Sequence, residues 1–190
     1  MPTLKRGFAY FFLFCAVIVG SLAQNPHSPS ADPKTEWKLS DSPIDSQVKE
    51  HILTCIVGLH VAGPGLPTVN SSKGEEEEAK AIASQSVVKL TRLDKRGRIG
   101  IGISTVAPWC GATGNCDVYL FDGVTGTLLV QSVGWEYWFG SKTHHGFFDF
   151  YVRDNLSAGA GTLYEYQFDG DKYEETNQKG EPPFASHSPL

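Results

Sequence analysis

The sequence predicts an α+β fold in which two N-terminal helices pack on an antiparallel meander sheet of about seven strands. Beyond residue 42, apolar residues recur at three- and four-residue intervals, a spacing that is typical of helices. From Ser86 onward the spacing changes to alternation, and short alternating segments are separated by turns rich in Asp and Gly. Because consecutive strands joined by tight turns usually pair with each other, this order predicts one meander behind two helices.

Residues 1–23 have the pattern of a secretory signal peptide. Lys5 and Arg6 precede the apolar run Phe8–Val19, and a small-x-small cleavage site follows it. The run is shorter than a bilayer-spanning helix requires. Cys15 lies inside the run and not at its end, so no lipoprotein anchor is predicted. We therefore expect an exported protein, periplasmic or extracellular.

The mature chain is predicted to form one domain with a polar segment at each end. Residues 24–41 are rich in Pro and Ser and lack periodicity, which is typical of a disordered or loosely docked linker, and Trp37 is a candidate contact that holds it against the domain. Residues 42–175 contain the periodic segments and suit a single domain in length. Residues 176–190 are polar and contain Pro, so we expect a disordered tail.

The acidic composition excludes nucleic acid as a partner class. Without Lys5 and Arg6 of the leader, 14 of the 16 basic residues and all 21 acidic residues remain, a formal net charge of −7. Nucleic acid phosphates select basic surfaces, whereas a negative surface permits a cationic partner. No second long apolar segment follows the leader, so no membrane span is predicted in the mature chain.

Two helices are predicted ahead of the strands. The first begins at Ser42, an N-cap residue with Asp45 at the capping-box spacing. The second runs from Ser72 through Ala83, because Ser72 and Glu75 repeat that spacing and acidic residues fill the first turn. The apolar stripe of the first helix consists of Ile44, Val48, Ile52, Cys55, Ile56 and Leu59.

The alternating segments predict the strands of the meander. In one of them, isoleucines alternate strictly with Gly100 and Gly102, so we expect another group to pack closely against the glycine side. Asp-containing turns such as Asp94–Gly97 separate neighbouring segments. The predicted strands are Val87–Leu93, Arg98–Ser104, Cys116–Phe121, Thr127–Val133, Trp135–Phe139, Phe147–Arg153, Leu163–Phe168 and Lys172–Glu175.

Three cysteines remain after the leader is removed. Cys110 and Cys116 flank a flexible Gly-containing loop, and export permits disulfides, so we predict a bridge between them. Cys55 is left without a partner. On the apolar stripe of a helix we expect it to be a small buried residue and not a reactive thiol.

The strand pattern is similar to that of known exported proteins. Residues 88–103 (VKLTRLDKRGRIGIGI) resemble the strand, acidic-Gly turn and strand of FG-GAP-type propeller repeats. Residues 164–173 (YEYQFDGDKY) are similar to the closing FDGxxY hairpin of small, uncharacterised exported bacterial β-rich proteins. The resemblance covers about half of the mature chain and implies bacterial export but no activity. The calcium ligands of FG-GAP loops do not carry over, because Asp94 is the only acid of this turn, and the lack of a blade-length repeat predicts no propeller.

The sequence contains no established catalytic motif, neither a nucleophile elbow nor a zinc-protease, phosphate-loop or dinucleotide-binding pattern. Cys110 with His144 or His145 as base would be a candidate nucleophile only if it is not in a disulfide. The histidine pair with Asp149 is a candidate metal site, but adjacent side chains of an extended segment point to opposite faces. Glu136 and Asp149 are candidate glycosidase carboxylates. We predict no catalytic residue, no metal and no cofactor.

Aromatic residues are concentrated between Trp135 and Tyr151. This segment holds 8 of the 17 aromatic residues that remain after the leader is removed. A hydrophobic core would bury such rings, but adjacent Phe147 and Phe148 point to opposite sides of a strand, so some rings are expected outside the core. The predicted ligand or partner surface consists of Trp135, Tyr137, Trp138, Phe139, Phe148 and Phe150.

These features favour a non-catalytic binding module of the cell envelope or exterior, with a protein or a glycan as ligand. One version is an inhibitor of a cationic hydrolase, suggested by export, acidity and small size. Two alternatives stay open: a hydrolase that acts on cell-wall or extracellular polymer, and a structural envelope component. An enzyme requires polar groups that converge in a concave pocket, whereas a binding module presents a flat or convex aromatic patch.

Overall fold

The computed structural model describes residues 36–62, 73–157 and 160–181. These residues form nine strands and two α-helices, with a short 3₁₀ helix (Leu39–Asp41) after the first strand. In chain order the elements are β1 (Glu36–Lys38), α1 (Ser46–Ala62), α2 (Lys73–Ser84), β2 (Val87–Arg92), β3 (Ile99–Ser104), β4 (Cys116–Asp122), β5 (Leu128–Gly134), β6 (Glu136–His144), β7 (Phe147–Ser157), β8 (Ala160–Phe168) and β9 (Tyr173–Glu181).

The strands form two antiparallel sheets in sequential order. Sheet A contains β1 to β5 and sheet B contains β6 to β9. The two helices pack on one face of sheet A, and sheet B packs on the other face. The predicted α+β class and the antiparallel pairing of consecutive strands are confirmed. The single meander of about seven strands is wrong, because the described residues contain nine strands in two sheets and β1 precedes the helices.

The chain passes from sheet A to sheet B between β5 and β6. A Cβ atom at Gly134 would lie 2.5 Å from Val152 Cγ1 and 2.6 Å from the Arg153 carbonyl oxygen, so the glycine permits the end of β5 to approach β7 closely. The backbone N–H of Trp135 then donates to the Arg153 carbonyl oxygen over 2.9 Å. The alternation of apolar and polar residues continues on both sides of this corner, so the sequence pattern alone does not separate the two sheets.

The first helix starts later than predicted. Asp45 is its N-cap, and Asp45 Oδ1 accepts hydrogen bonds from the backbone N–H groups of Gln47 (2.9 Å) and Val48 (3.2 Å). Ser42, the predicted cap, instead donates its hydroxyl to the Leu39 carbonyl oxygen over 2.8 Å and closes the 3₁₀ turn. The core between the helices and sheet A contains Leu39, Ile52, Leu53, Ile56, Val57, Ala79, Ala83, Val88, Ile101, Ile103, Tyr119 and Phe121.

Strand β3 contributes to both cores of the molecule. Ile101 and Ile103 are buried against the helices, while a Cβ atom at Gly102 would lie 2.7 Å from Cε2 and from the hydroxyl oxygen of Tyr137 in sheet B. The expectation that another group packs against the glycine side is therefore confirmed. The core between the sheets contains Leu93, Val118, Leu120, Leu129, Val130, Phe150, Val152, Tyr166, Phe168 and Tyr173.

Aspartates close the turns between the strands of sheet A. Asp94 Oδ1 accepts two backbone hydrogen bonds within the β2–β3 turn, at 2.9 Å each. Asp122 is buried, and its Oδ2 accepts a 2.6 Å hydrogen bond from Arg98 Nε. Although burial raises the pKa of Asp122, hydrogen bonds from the Thr125 backbone, Arg98 and the Val124 backbone together hold it below the ordinary value. This ion pair therefore joins the two turns at one end of sheet A.

Ordered strands extend into both predicted terminal segments. Residues 36–41 of the predicted linker form β1 and the 3₁₀ helix, and Trp37 pairs with Val88 in sheet A. Residues 176–181 of the predicted tail belong to β9, which pairs with β8 along its whole length. The predicted leader and the remainder of both terminal segments lie outside the described residues. Within the described ranges, no helix has the length and apolar character to cross a bilayer.

Candidate functional site

A row of four directly opposed residues crosses the face of sheet B that points away from sheet A. The register pairs Trp138 of β6 with Tyr151 of β7, Tyr151 with Glu165 of β8, and Glu165 with Asn177 of β9. Because side chains alternate along a strand and Phe150 lies in the core between the sheets, this row occupies the outer face. All four residues are half-buried. We call these four residues the platform.

The aromatic half of the platform consists of two adjacent rings. The rings of Trp138 and Tyr151 are nearly parallel, with an interplanar angle of 12° and centroids 5.7 Å apart. Gly140 follows two residues after Trp138, and a Cβ atom there would lie 2.7 Å from Tyr151 Cε2. The glycine therefore provides the space in which the Tyr151 ring rests against β6. The sheet holds both rings in fixed positions on its outer surface.

The polar half of the platform is organised around the Glu165 carboxylate. Glu165 Oε1 accepts hydrogen bonds from the Tyr151 hydroxyl (3.2 Å) and from Gln167 Nε2 (3.5 Å), and Oε2 accepts one from Asn177 Nδ2 (3.5 Å). Burial, followed by the charges of Glu165 and Asp149, raises the pKa of Tyr151 to about 12. The Tyr151 hydroxyl therefore remains a hydrogen-bond donor at neutral pH.

Half of the predicted contact surface lies in the core. Phe150 is fully buried, and the rings of Tyr137 and Phe139 lie 5.7 and 5.0 Å from its ring. These three residues alternate with outward-facing residues and point toward sheet A, where Phe150 is inaccessible to a ligand and Tyr137 and Phe139 are half-buried. Their inclusion in the predicted surface is corrected on this ground. The hydroxyl of Tyr137 is buried without a hydrogen-bond partner among the described residues.

The other predicted residues remain accessible. Trp138 belongs to the platform. Trp135 is 54% exposed at the corner between the sheets, where the Arg153 guanidinium lies 5.9 Å from the centroid of its ring. Phe148 is half-buried near the β6–β7 turn, opposite Thr143. Of these three rings, only Trp138 lies in a cross-strand row with a carboxylate and an amide side chain.

Three platform residues, Tyr151, Glu165 and Asn177, were not predicted as site residues. Alternation alone could have placed Glu165 on the outer face of sheet B. It lies between Tyr164 and Tyr166, two aromatic residues that pack on the core between the sheets. Its position opposite Tyr151 depends on the strand register. That register includes irregularities in β6 and between Glu165 and Tyr166, which no sequence pattern indicates.

The predicted disulfide joins the three layers of the fold. The Cys110–Cys116 bridge is present, with a Cα–Cα distance of 4.1 Å. Next to it, the Trp109 ring stacks on His60 of α1 with the ring centroids 3.8 Å apart. Within the bridged loop, the Asn115 side chain exchanges two hydrogen bonds with the backbone of Asn155 in β7, at 3.1 and 2.7 Å. The β3–β4 connection thus contacts α1 and sheet B from one end of sheet A.

The cysteines of the described residues are one disulfide pair and one half-buried thiol. Cys110 is in the disulfide, so its interpretation as a nucleophile with His144 or His145 as base is excluded. Cys55 is free and half-buried on α1, and burial raises the pKa of its thiol. A raised pKa lowers the thiolate fraction. Cys55 packs against the core between the helices and sheet A, but it is half-buried where a buried residue was predicted.

Among the histidine and acidic candidates, His144 and Asp149 form a close pair. His144 Nδ1 lies 2.6 Å from Oδ1 of Asp149, whose carboxylate is fully buried. Asp149 Oδ2 has no hydrogen-bond partner among the described residues. Glu136 lies opposite Arg153 of β7, and Arg153 is four residues from Asp149 along that strand. Glu136 and Asp149 are therefore roughly 13 Å apart, which is too far for a glycosidase pair. The described residues contain no cluster of three or more potential metal ligands.

Comparison with known proteins gives no match. No protein-family model matches the chain, and no curated protein or solved structure shows significant similarity to it.

Proposed function

We propose that this protein is a non-catalytic binding module of the cell envelope or exterior, and that it binds glycan chains on the platform. The observation that carries the proposal is the cross-strand row of Trp138, Tyr151, Glu165 and Asn177 on the outer face of sheet B. Aromatic faces provide apolar contact area for the C–H surface of a sugar ring. The adjacent carboxylate and amide groups can hydrogen bond with the hydroxyl groups of the same sugar.

The shape of the surface supports binding and not hydrolysis. The platform lies across four antiparallel strands, so its side chains stand in line on a sheet face and do not converge in a deep pocket. An extended polymer can lie along such a row and contact several strands at once. The Cys110–Cys116 disulfide agrees with a protein that works outside the reducing cytoplasm.

The test is binding of the purified mature protein to a panel of insoluble polysaccharides, measured by depletion from the supernatant. The panel contains cellulose, chitin, chitosan and peptidoglycan. We expect retention on at least one polymer. Trp138→Ala is expected to weaken this retention about thirtyfold, because truncation of a central aromatic contact costs about 2 kcal/mol. Tyr151→Phe keeps the ring and is expected to weaken it only a few-fold.

Trp135→Ala is the matched control, because Trp135 is exposed but lies outside the platform. We expect this variant to bind within about twofold of the wild type. Circular dichroism and thermal unfolding establish that each variant is folded. Loss of binding in Trp135→Ala with full binding in Trp138→Ala would move the site to the corner between the sheets. Absence of retention on every polymer would reject glycan binding.

A further inference from the structure

We infer that the ligand of the platform is a glycan with free amino groups, such as a glucosamine polymer, in preference to a neutral or an acidic glycan. This inference rests on the proposed function and specifies its ligand class. It starts from Glu165, the one charged member of the platform, which lies between the aromatic pair and Asn177.

The hydrogen bonds to Glu165 are long and come from uncharged donors. The Tyr151 hydroxyl, Gln167 Nε2 and Asn177 Nδ2 lie 3.2, 3.5 and 3.5 Å from the carboxylate oxygens. A carboxylate has about four acceptor positions, and an ammonium donor binds at about 2.7–2.9 Å with roughly twice the strength of a neutral donor. The carboxylate can therefore accept an ammonium group of the ligand in addition to its present partners.

The electrostatic environment of sheet B favours a cation. Burial raises the pKa of Tyr151, and the charged side chains that raise it further are carboxylates. For Tyr151 they are Glu165 and Asp149. The charged groups that act on the Tyr151 hydroxyl are thus carboxylates, and carboxylates beside a binding surface favour an ammonium group over an acidic group.

Arg153, Lys179 and Lys172 of sheet B lie beside the platform and not within it. Arg153 belongs to the next cross-strand row and is buried, with its guanidinium near the Trp135 ring. Lys179 lies in that row as well, opposite Leu163. Lys172 pairs with Glu174 over 2.7 Å at the β8–β9 turn. The platform therefore offers carboxylate, hydroxyl and amide groups to a ligand, together with aromatic faces that attract cations.

The test compares two soluble oligomers of equal length by calorimetric titration, one of glucosamine and one of N-acetylglucosamine, at a pH that keeps the amines protonated. We expect the glucosamine oligomer to bind about tenfold more tightly, because a charge-assisted hydrogen bond is stronger than a neutral one. Glu165→Gln is expected to remove this preference, so that the variant binds the two oligomers with equal affinity. Trp138→Ala is expected to weaken both complexes.

Glu76→Gln is the matched control, since it removes the same charge from an exposed position on α2. It is expected to bind both oligomers as the wild type does. An equal loss in Glu76→Gln and Glu165→Gln would show general attraction of a polycation and overturn the inference. Equal affinity of the two oligomers would overturn it too, while leaving glycan binding intact. Binding of neither oligomer, with Trp138-dependent binding of a basic protein such as a lysozyme, would overturn both proposals in favour of a protein partner.

Discussion

The contact between Gly102 and Tyr137 gives the sharpest test of how the two sheets pack. A methyl group at Gly102 would lie 2.7 Å from two atoms of Tyr137 and 2.9 Å from a third, so the ring would have to move by close to 1 Å. Phe150, whose ring centroid is 5.7 Å away, restricts that movement. Such overpacking destabilises a protein by about 1–3 kcal/mol. Replacement of a strand glycine by alanine stabilises it by about 0.5–1 kcal/mol, because glycine loses more conformational freedom on folding. We expect Gly102→Ala to lower the free energy of unfolding by about 1–2 kcal/mol.

The assay is equilibrium urea denaturation followed by tryptophan fluorescence, in a double-mutant cycle with Tyr137→Leu. Leucine lacks the three atoms that the methyl group would meet. In this background Gly102→Ala should be neutral or stabilising by about 0.5–1 kcal/mol, which gives a coupling energy of about 2 kcal/mol. If Gly102→Ala has the same effect in both backgrounds, the packing of Tyr137 on β3, and with it the face that sheet B covers, is refuted.

Three further predictions concern stability. Asp122→Ala should lower the free energy of unfolding by about 2–4 kcal/mol, because it leaves Arg98 without its partner and opens the turn. Since folding lowers the pKa of Asp122, the stabilisation is present above the ordinary pKa of 3.8 and is lost as the pH falls below it. The free energies of unfolding of the variant and the wild type, measured in urea, should therefore converge on acidification. Replacement of Cys110 and Cys116 by serine should cost about 2 kcal/mol through loop entropy in the same assay. Because the pKa of Tyr151 is raised from 10.0 to about 12, the free energy of unfolding should fall as the pH rises through this range. In a pH titration, the phenolate absorbance of the folded protein should appear at higher pH than that of the unfolded chain.

Local features of the fold were predictable because they depend on neighbouring residues. The three- and four-residue spacing from Val48 to Leu59 predicted the buried face of α1, and the Ile-Gly alternation of β3 predicted close packing on its glycine side. The short loop between Cys110 and Cys116 predicted their bridge. The start of α1 was misplaced, because Ser42 and Asp45 both suit an N-cap and only the 3₁₀ turn at Leu39 decides between them.

The division into two sheets and the composition of the platform were not predictable in the same way. Alternation shows which residues share a face of a strand but not which layer covers that face. Tyr137 and Trp138 are both aromatic, yet one packs on Gly102 and the other faces outward. The pairing of Tyr151 with Glu165 depends on hairpin lengths and strand irregularities, so a non-local register determines the site.

The most direct test of glycan binding on the platform is an NMR titration that observes the indole N–H groups of the four tryptophans. Trp138 lies in the platform, Trp135 lies at the corner between the sheets, Trp37 lies in β1, and Trp109 stacks on His60. With a glucosamine oligomer as ligand, we expect a saturable shift of the Trp138 signal, with the Trp37 and Trp109 signals unchanged. A shift of the Trp109 or Trp37 signal with an unchanged Trp138 signal would contradict glycan binding on the platform.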